Sequence, residues 1–326
     1  MSLTRLLRGL KIRHIRPKQN PSCHILNLPK EILILILDYL PQYQQIIFSQ
    51  TCYPLRCILL NYNKAHKGSD NLHLSANLNQ HQRLEYLFAL ARSRPKVWAC
   101  HRCSKLHHRR KLGIPMSQES PCDLHCQKKS DYYTQGVYKA YYGHIQFALK
   151  YSRLQIENGN SVSQLKKSDK WYLDNIMKPF SAPIRPHEGG MSDKIKGRLH
   201  VFPKIIDGRF LIHSVWTFAK DIGNVSRQSI GQFRICQHQT WDPSGYSNST
   251  LLNIQAYAFR LGREVHHSCD FCETDFSIQA SSEVTVVRIW QNLGSEVTYL
   301  KNHSWHWQAD FCRRNYTSRT QFQGTL

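Results

Sequence analysis

Six aliphatic residues in succession, Ile32 to Leu37, stand between Pro29 and Pro41 in a chain that is otherwise polar and basic. By composition alone such a run fits a buried strand. Its flanks point to a helix. Pro29 suits a first helical turn, where its missing N–H costs nothing, and Glu31 suits the positive end of the helix dipole. Pro41 marks the stop, since the residue before a proline avoids the helical region. The span from Pro29 to Leu40 therefore predicts a helix of about three turns.

At about 100° per residue, Leu28, Ile32, Leu35, Ile36 and Tyr39 fall on one stripe. Leu33, Ile34 and Leu37 fall on the opposite side, leaving a narrow polar wedge at Glu31 and Asp38. A small helical domain can bury one stripe against the segment that follows, "YQQIIFSQTCYPLR". A second stripe left in water forfeits roughly 1.5–3 kcal/mol per aliphatic side chain. Surface of that kind marks a partner, unless the C-terminal region of the same chain covers it.

That pattern resembles the F-box, the three-helix module of SCF-type ubiquitin ligase receptors. The residues that carry the likeness are Leu28, Pro29, Glu31, Ile32, Ile36 and Leu40 in "LPKEILILILDYL", then Ser49, Thr51, Cys52 and Leu55 in "FSQTCYPLR". The resemblance implies that the Leu-Pro pair and the first-helix aliphatics bind a Skp-type adaptor, which links the receptor to a cullin and a RING subunit. Leu28, Pro29, Ile32, Leu33, Ile36, Leu37 and Leu40 are the expected adaptor-binding residues, with Leu33 and Leu37 on the docking side. Tyr53-Pro54 departs from the family pattern and predicts a displaced or shortened third helix.

The flanking segments are polar. Residues 1–22 form a basic tail with six Lys/Arg and no acid in its first twenty residues, open to reading as a frayed tail, a nuclear-import arm or a mitochondrial presequence. It lacks a secretory apolar core, and no stretch approaches the ~20 apolar residues of a membrane span. An intracellular chain, in cytoplasm or nucleus, is the expectation. In such a reducing compartment the eleven cysteines point to metal rather than disulfides where they pair closely. The F-box is expected over 23–62 and a linker over 63–80.

Residues 81–130 combine a helix, "QRLEYLFALARSRP", with a first cysteine cluster. Cys100 and Cys103 form a CxxC pair, and Cys122 and Cys126 a CxxxC pair after eighteen intervening residues. Two such pairs can close a tetrahedral Cys₄ zinc site, with His107 and His125 able to replace a cysteine. The stretch also resembles a group of fungal F-box proteins in which "CxxCxKLH" is followed by a basic loop and a further cysteine. Here those residues are "CHRCSKLHHRR" and Cys122.

Residues 131–195 read as a helical segment, "VYKAYYGHIQFALKYSRL", and loops. Over 196–326 the periodicity changes. "RLHVFPKII", "RFLIHSVWTF", "SIGQFRICQH", "IQAYAFRL" and "EVTVVRIWQNL" are short, rich in β-branched and aromatic residues, and separated by turn signals such as Asp207-Gly208. They predict an antiparallel sheet. A C-x-H step, Cys236 and His238, and a later CxxC knuckle, Cys269 and Cys272, would make a Cys₃His site. The same fungal group carries a similar strand, a CxH step, "CxxCxTDF" and "W-x-x-LG". The counterparts here are "KIIDGRFLIHSVW", "CQH", "CDFCETDF" and "WQNLG".

Four protein ligands close a zinc shell, so one or two structural Zn²⁺ ions are expected rather than a catalytic one. His238 has no glutamate two residues on, which leaves out the zinc deaminase arrangement. No GxSxG, P-loop or GxGxxG cradle occurs. His266 and His267 are the residues on which an enzyme reading would rest.

The expected architecture is α+β: an N-terminal three-helix module, a helical and cysteine-rich middle, and a mainly antiparallel C-terminal region with a structural zinc site. The leading functional expectation is a non-catalytic ligase receptor that takes an unknown protein target. The net charge of +22, from 44 Lys+Arg against 22 Asp+Glu, keeps a second reading open. In it, a zinc-stabilised protein binds nucleic acid through basic runs such as "HHRRK" and aromatic-basic stretches such as "WHWQADFCRRNY".

Overall fold

Prolines punctuate the first three helices. The computed structural model describes residues 24–67, 78–115, 126, 132–135, 138–157, 166–184, 195–220, 225–241 and 249–309. Helix α1 (Lys30–Tyr39) starts after Pro29, whose extended backbone makes it the N-cap, and carries Glu31 in its first turn. It ends at Leu40, held extended by Pro41, which in turn caps α2 (Gln42–Thr51). Helix α3 (Tyr53–Lys67) is not shortened and runs for 15 residues. Pro54 falls in its first turn, where no intrahelical N–H is needed, and the helix runs into the stretch expected to be linker.

Leu33, Leu37, Ile46, Leu55 and Leu59 supply buried side chains from these three helices. Buried Gln45 donates through Nε2 to the carbonyls of Leu37 and Leu40 at 2.8 and 2.9 Å. Those acceptors are among the carbonyls that the end of α1 leaves unpaired. Helix α4 (Gln80–Arg92) opens with a reciprocal cap between Asn79 and Gln82.

The chain forms two compact units, residues 1–90 and 91–326. The second begins with two short hairpins, β1 (Val97–Cys100) with β2 (Lys105–His108), and β3 (Tyr132–Gln135) with β4 (Tyr138–Tyr141). Helices α5 (Tyr142–Glu157) and α6 (Lys167–Ile176) follow. Then come β5 (Phe180–Ile184), β6 (Ile195–Ile206), β7 (Arg209–Lys220), α7 (Arg227–Ile230), and a small hairpin of β8 (Phe233–Arg234) and β9 (Thr240–Trp241). Helix α8 (Ser249–Leu261), β10 (Val265–Ser268), β11 (Thr274–Ala280), β12 (Val284–Ser295) and α9 (His303–Gln308) complete the described α-helices and strands.

Six strands make one antiparallel sheet in the order β10-β11-β12-β7-β6-β5. β6 and β7 are joined by Asp207-Gly208, both at positive φ (49° and 69°), as a two-residue hairpin turn demands. Alternate residues, among them Leu199, Val201, Ile212, Phe218, Ile278, Val287 and Ile289, face a single core. Phe147 and Ala148 of α5, Ala258 of α8 and Trp305 of α9 share it. Gly294, in the irregular end of β12, sits at φ +95°, where a Cβ would collide with the Asn302 side chain. Asn302 is fixed there because it bonds the Leu293 carbonyl and caps α9 at Trp305 N.

The structure corrects several expected elements. "IQAYAFRL" is the end of α8, not a strand: Ile254 and Ala258 are buried one helical turn apart, and Gly262 at φ +62° stops the helix. "VYKAYYGHIQFALKYSRL" divides into β4 and α5. In "SIGQFRICQH" only Phe233–Arg234 is strand. β5, β10 and β11 fall in stretches where no strand is expected. No helix among the described residues is long and apolar enough to cross a membrane.

Candidate functional sites

The two stripes of α1 meet opposite fates. Leu33 and Leu37, one turn apart, are 3% and 1% exposed. Ile32 and Leu35 on the other side are 42% and 52% exposed, with Leu28, Pro29 and Tyr39 also exposed. Ile34, Ile36 and Leu40 are half-buried. Leu33 and Leu37 are therefore core residues rather than docking residues, because Gln45 ties α2 to the end of α1 on their side. What remains open is a stripe of the helix, Ile32, Leu35 and Tyr39, with exposed Leu28 four residues before Ile32 and just ahead of the helix.

The first cysteine cluster is built on the β1–β2 hairpin. Cys100 ends β1, and Ser104 at φ 49° turns the chain tightly after Cys103. His107 lies on β2 opposite Trp98. Cys126 joins them, so that one donor atom each from Cys100, Cys103, His107 and Cys126 lies within 4.8 Å of the others. His107 Nε2 is 2.9 Å from Cys103 Sγ and 3.5 Å from Cys126 Sγ. Cys122 and His125 lie outside the described residues. His107 completes the described set of four; the K-L-H step after the CxxC pair is the signal for it.

The second cluster joins two hairpin turns. Cys236 and His238 occupy the β8–β9 turn, which is closed by backbone bonds between Cys236 and Gln239. Cys269 and Cys272 occupy the β10–β11 turn, closed by Cys269 N to Thr274 O and Thr274 N to Cys272 O. All four donors lie within 4.8 Å of one another. Cys236 and Cys269 sulfurs are 3.7 Å apart, with Cys269 Sγ 3.8 Å from His238 Nδ1. A tetrahedral zinc with Zn–S bonds of about 2.3 Å requires sulfurs about 3.8 Å apart, so this donor set fits the ion. His266 and His267 are not among these four donors; His267, on β10, stands beside Phe276 of β11.

The thiols are electrostatically uneven. The hydrogen bond with Cys236 holds Cys272 down to about 5, and the same bond, with burial, pushes Cys236 up. In the first cluster Cys103 is lowered by its bond with Cys100, which is itself pushed up to about 12. Each cluster thus sets one thiol of lowered pKa beside a neighbour that holds its proton more tightly. The cysteines of both clusters are free thiols. Exposed Phe271 and Trp307, each 5.5 Å from the His238 ring, line a cleft of about 310 Å³. Asp270, Glu273, His303 and Ser304 also line that cleft.

Two stretches behind the nucleic-acid reading are in part engaged internally, though Arg110 and Trp307 are exposed. In "HHRRK", His107 belongs to the first cluster, His108 Nδ1 accepts from Arg110 N, and Arg109 bonds buried Asp169 and Tyr151. In "WHWQADFCRRNY", Trp305 is fully buried, and residues from 310 onward lie outside the described ones.

No curated protein and no solved structure gives a significant match to this chain. The family description that matches is "F-box domain", over residues 25–66, the segment that holds α1, α2 and all but the last residue of α3. An F-box domain is found in the first unit of this chain.

Proposed function

We propose that the chain is a non-catalytic substrate receptor of an SCF-type cullin–RING ubiquitin ligase. The observation that carries the reading is the exposed apolar stripe Ile32, Leu35 and Tyr39 on the first helix of an F-box domain, continued by exposed Leu28 just before that helix. A Skp-type adaptor would cover that stripe together with Pro29 and the half-buried Ile36 and Leu40, bringing the cullin and RING subunits with it. Residues 91–326 would hold the protein target.

We assign structural zinc to both Cys₃His clusters, as the resemblance to fungal F-box proteins with a cysteine-rich C-terminal region implies. Four protein donors close the shell, so the ion would fix loops rather than activate water. Such a receptor would work in the cytoplasm or nucleus, where the free thiols of both clusters persist. Co-expression of the full chain with a Skp-type adaptor tests the assignment. A stoichiometric complex that survives size-exclusion chromatography is expected; separate elution of the two proteins would overturn it.

A further inference from the structure

We propose that the outer face of the six-stranded sheet is a stacking platform for single-stranded nucleic acid, a binding role independent of the ligase reading. The core takes the inward residues of the sheet, and the outward ones form a different surface. Register places Trp290 of β12, His213 of β7 and Phe202 of β6 in one cross-strand row. Their rings stack: His213 is 4.9 Å from Trp290 at 5° between planes, and 5.7 Å from Phe202 at 27°. His200, two residues from Phe202 on the same strand, extends the series at 6.3 Å and 11°. Trp290 and Phe202 are more than a third exposed, at 37% and 39%.

An outward row of planar rings does nothing for a core on the other side of the sheet, and water is a poor neighbour for it. Cations surround it. Arg198 and Lys204 are exposed on β6 at positions of the same parity as Phe202. Arg288 flanks Trp290 on β12 and pairs with Glu264 at 2.9 Å, and Arg209 lies 3.9 Å from Glu273. Asp275 faces Trp290 across β11. Two exposed cations beside the row, in a chain of net charge +22, call for an anion. Flat rings select among anions. An acidic peptide uses the charges and leaves the rings idle, whereas unpaired bases extend a stack and bring a phosphate with each ring. Duplex DNA or RNA holds its bases inside and cannot use the row.

The test uses the full chain with its metal ions and short mixed-sequence single-stranded RNA and DNA labelled for fluorescence anisotropy. Binding is expected to weaken with added salt, and a Trp290→Ala, Phe202→Ala variant to lose about tenfold or more in affinity. Arg198→Glu with Lys204→Glu, exposed changes that leave the core untouched, is expected to flatten the slope of log affinity against log salt by about 1.4, two phosphates' worth. Parent-like binding by both variants would overturn the proposal, since the affinity would then come from other basic segments. Equal affinity for duplex, or tighter binding of a poly-glutamate peptide, would do the same.

Discussion

His107 shows how a single side chain can complete a site that cysteine spacing leaves ambiguous. Two CxxC-type pairs predict Cys122 and Cys126 beside Cys100 and Cys103, with His107 as a possible substitute; among the described residues, β-pairing with Trp98 brings His107 to the knuckle, 2.9 Å from Cys103. The pairing of β1 with β2 depends on a tight turn at Ser104, which spacing rules do not register. His107→Ala is accordingly expected to remove about one metal ion per chain by elemental analysis, as is Cys236→Ser at the other cluster, while Cys122→Ser retains the full content. A buried histidine sets an expectation for acid sensitivity. His144 is buried, and burial holds its pKa at about 3, against the ordinary 6.5. Between those values the unfolded chain takes up a proton that the folded one refuses. Stability is therefore full above pH ~6.5 and falls as the pH drops toward ~3. Thermal melts across that window should show the loss in the parent and a smaller slope in His144→Asn. Parallel slopes would assign the acid sensitivity elsewhere.

At the level of elements, the helix formed by the six-aliphatic run was legible to within a residue at each end, because Pro29 and Pro41 fix its limits locally. Which of its stripes faces inward was not legible, since that depends on where α2 places Gln45. The consequence can be measured. Leu33→Asp with Leu37→Asp puts charge into the core, so loss of the helical unit's cooperative unfolding transition is expected. Ile32→Asp with Leu35→Asp sits in water and should leave that transition nearly unchanged. Strands were legible where turns announced them, as at Asp207-Gly208 between β6 and β7. The segment 254–261 misled because its aromatic and aliphatic content suits a strand, while its i,i+4 burial and the stop at Gly262 belong to a helix. β11 was obscured by buried Ser277 and Thr274, polar residues that break the apolar alternation.

For the whole molecule, the two units rest on different physics. Residues 1–90 bury leucines and isoleucines between short helices. Residues 91–326 combine a larger sheet core with two clusters of four donors. A structural zinc contributes about 10–16 kcal/mol of apparent binding free energy in finger peptides, comparable to the whole stability of a domain. Chelation is thus expected to expose the amides around 97–108 and 233–274 to hydrogen exchange while protection in α1 to α3 persists. Uniform exposure of both units would show that metal is not what separates them. Charge composition pointed to an anionic partner without saying where. The burial of Arg109 against Asp169 and the outward Arg198 and Lys204 redistribute that charge within the fold.

The central claim is that an F-box helix shows water a stripe meant for another protein. Titrating a purified Skp-type adaptor against the parent chain and the Ile32→Asp, Leu35→Asp variant measures it most directly. The account predicts tight binding by the parent and at least a hundredfold loss in the variant, with metal content and melting temperature unchanged. Equal affinity of the two proteins, both folded, would contradict it.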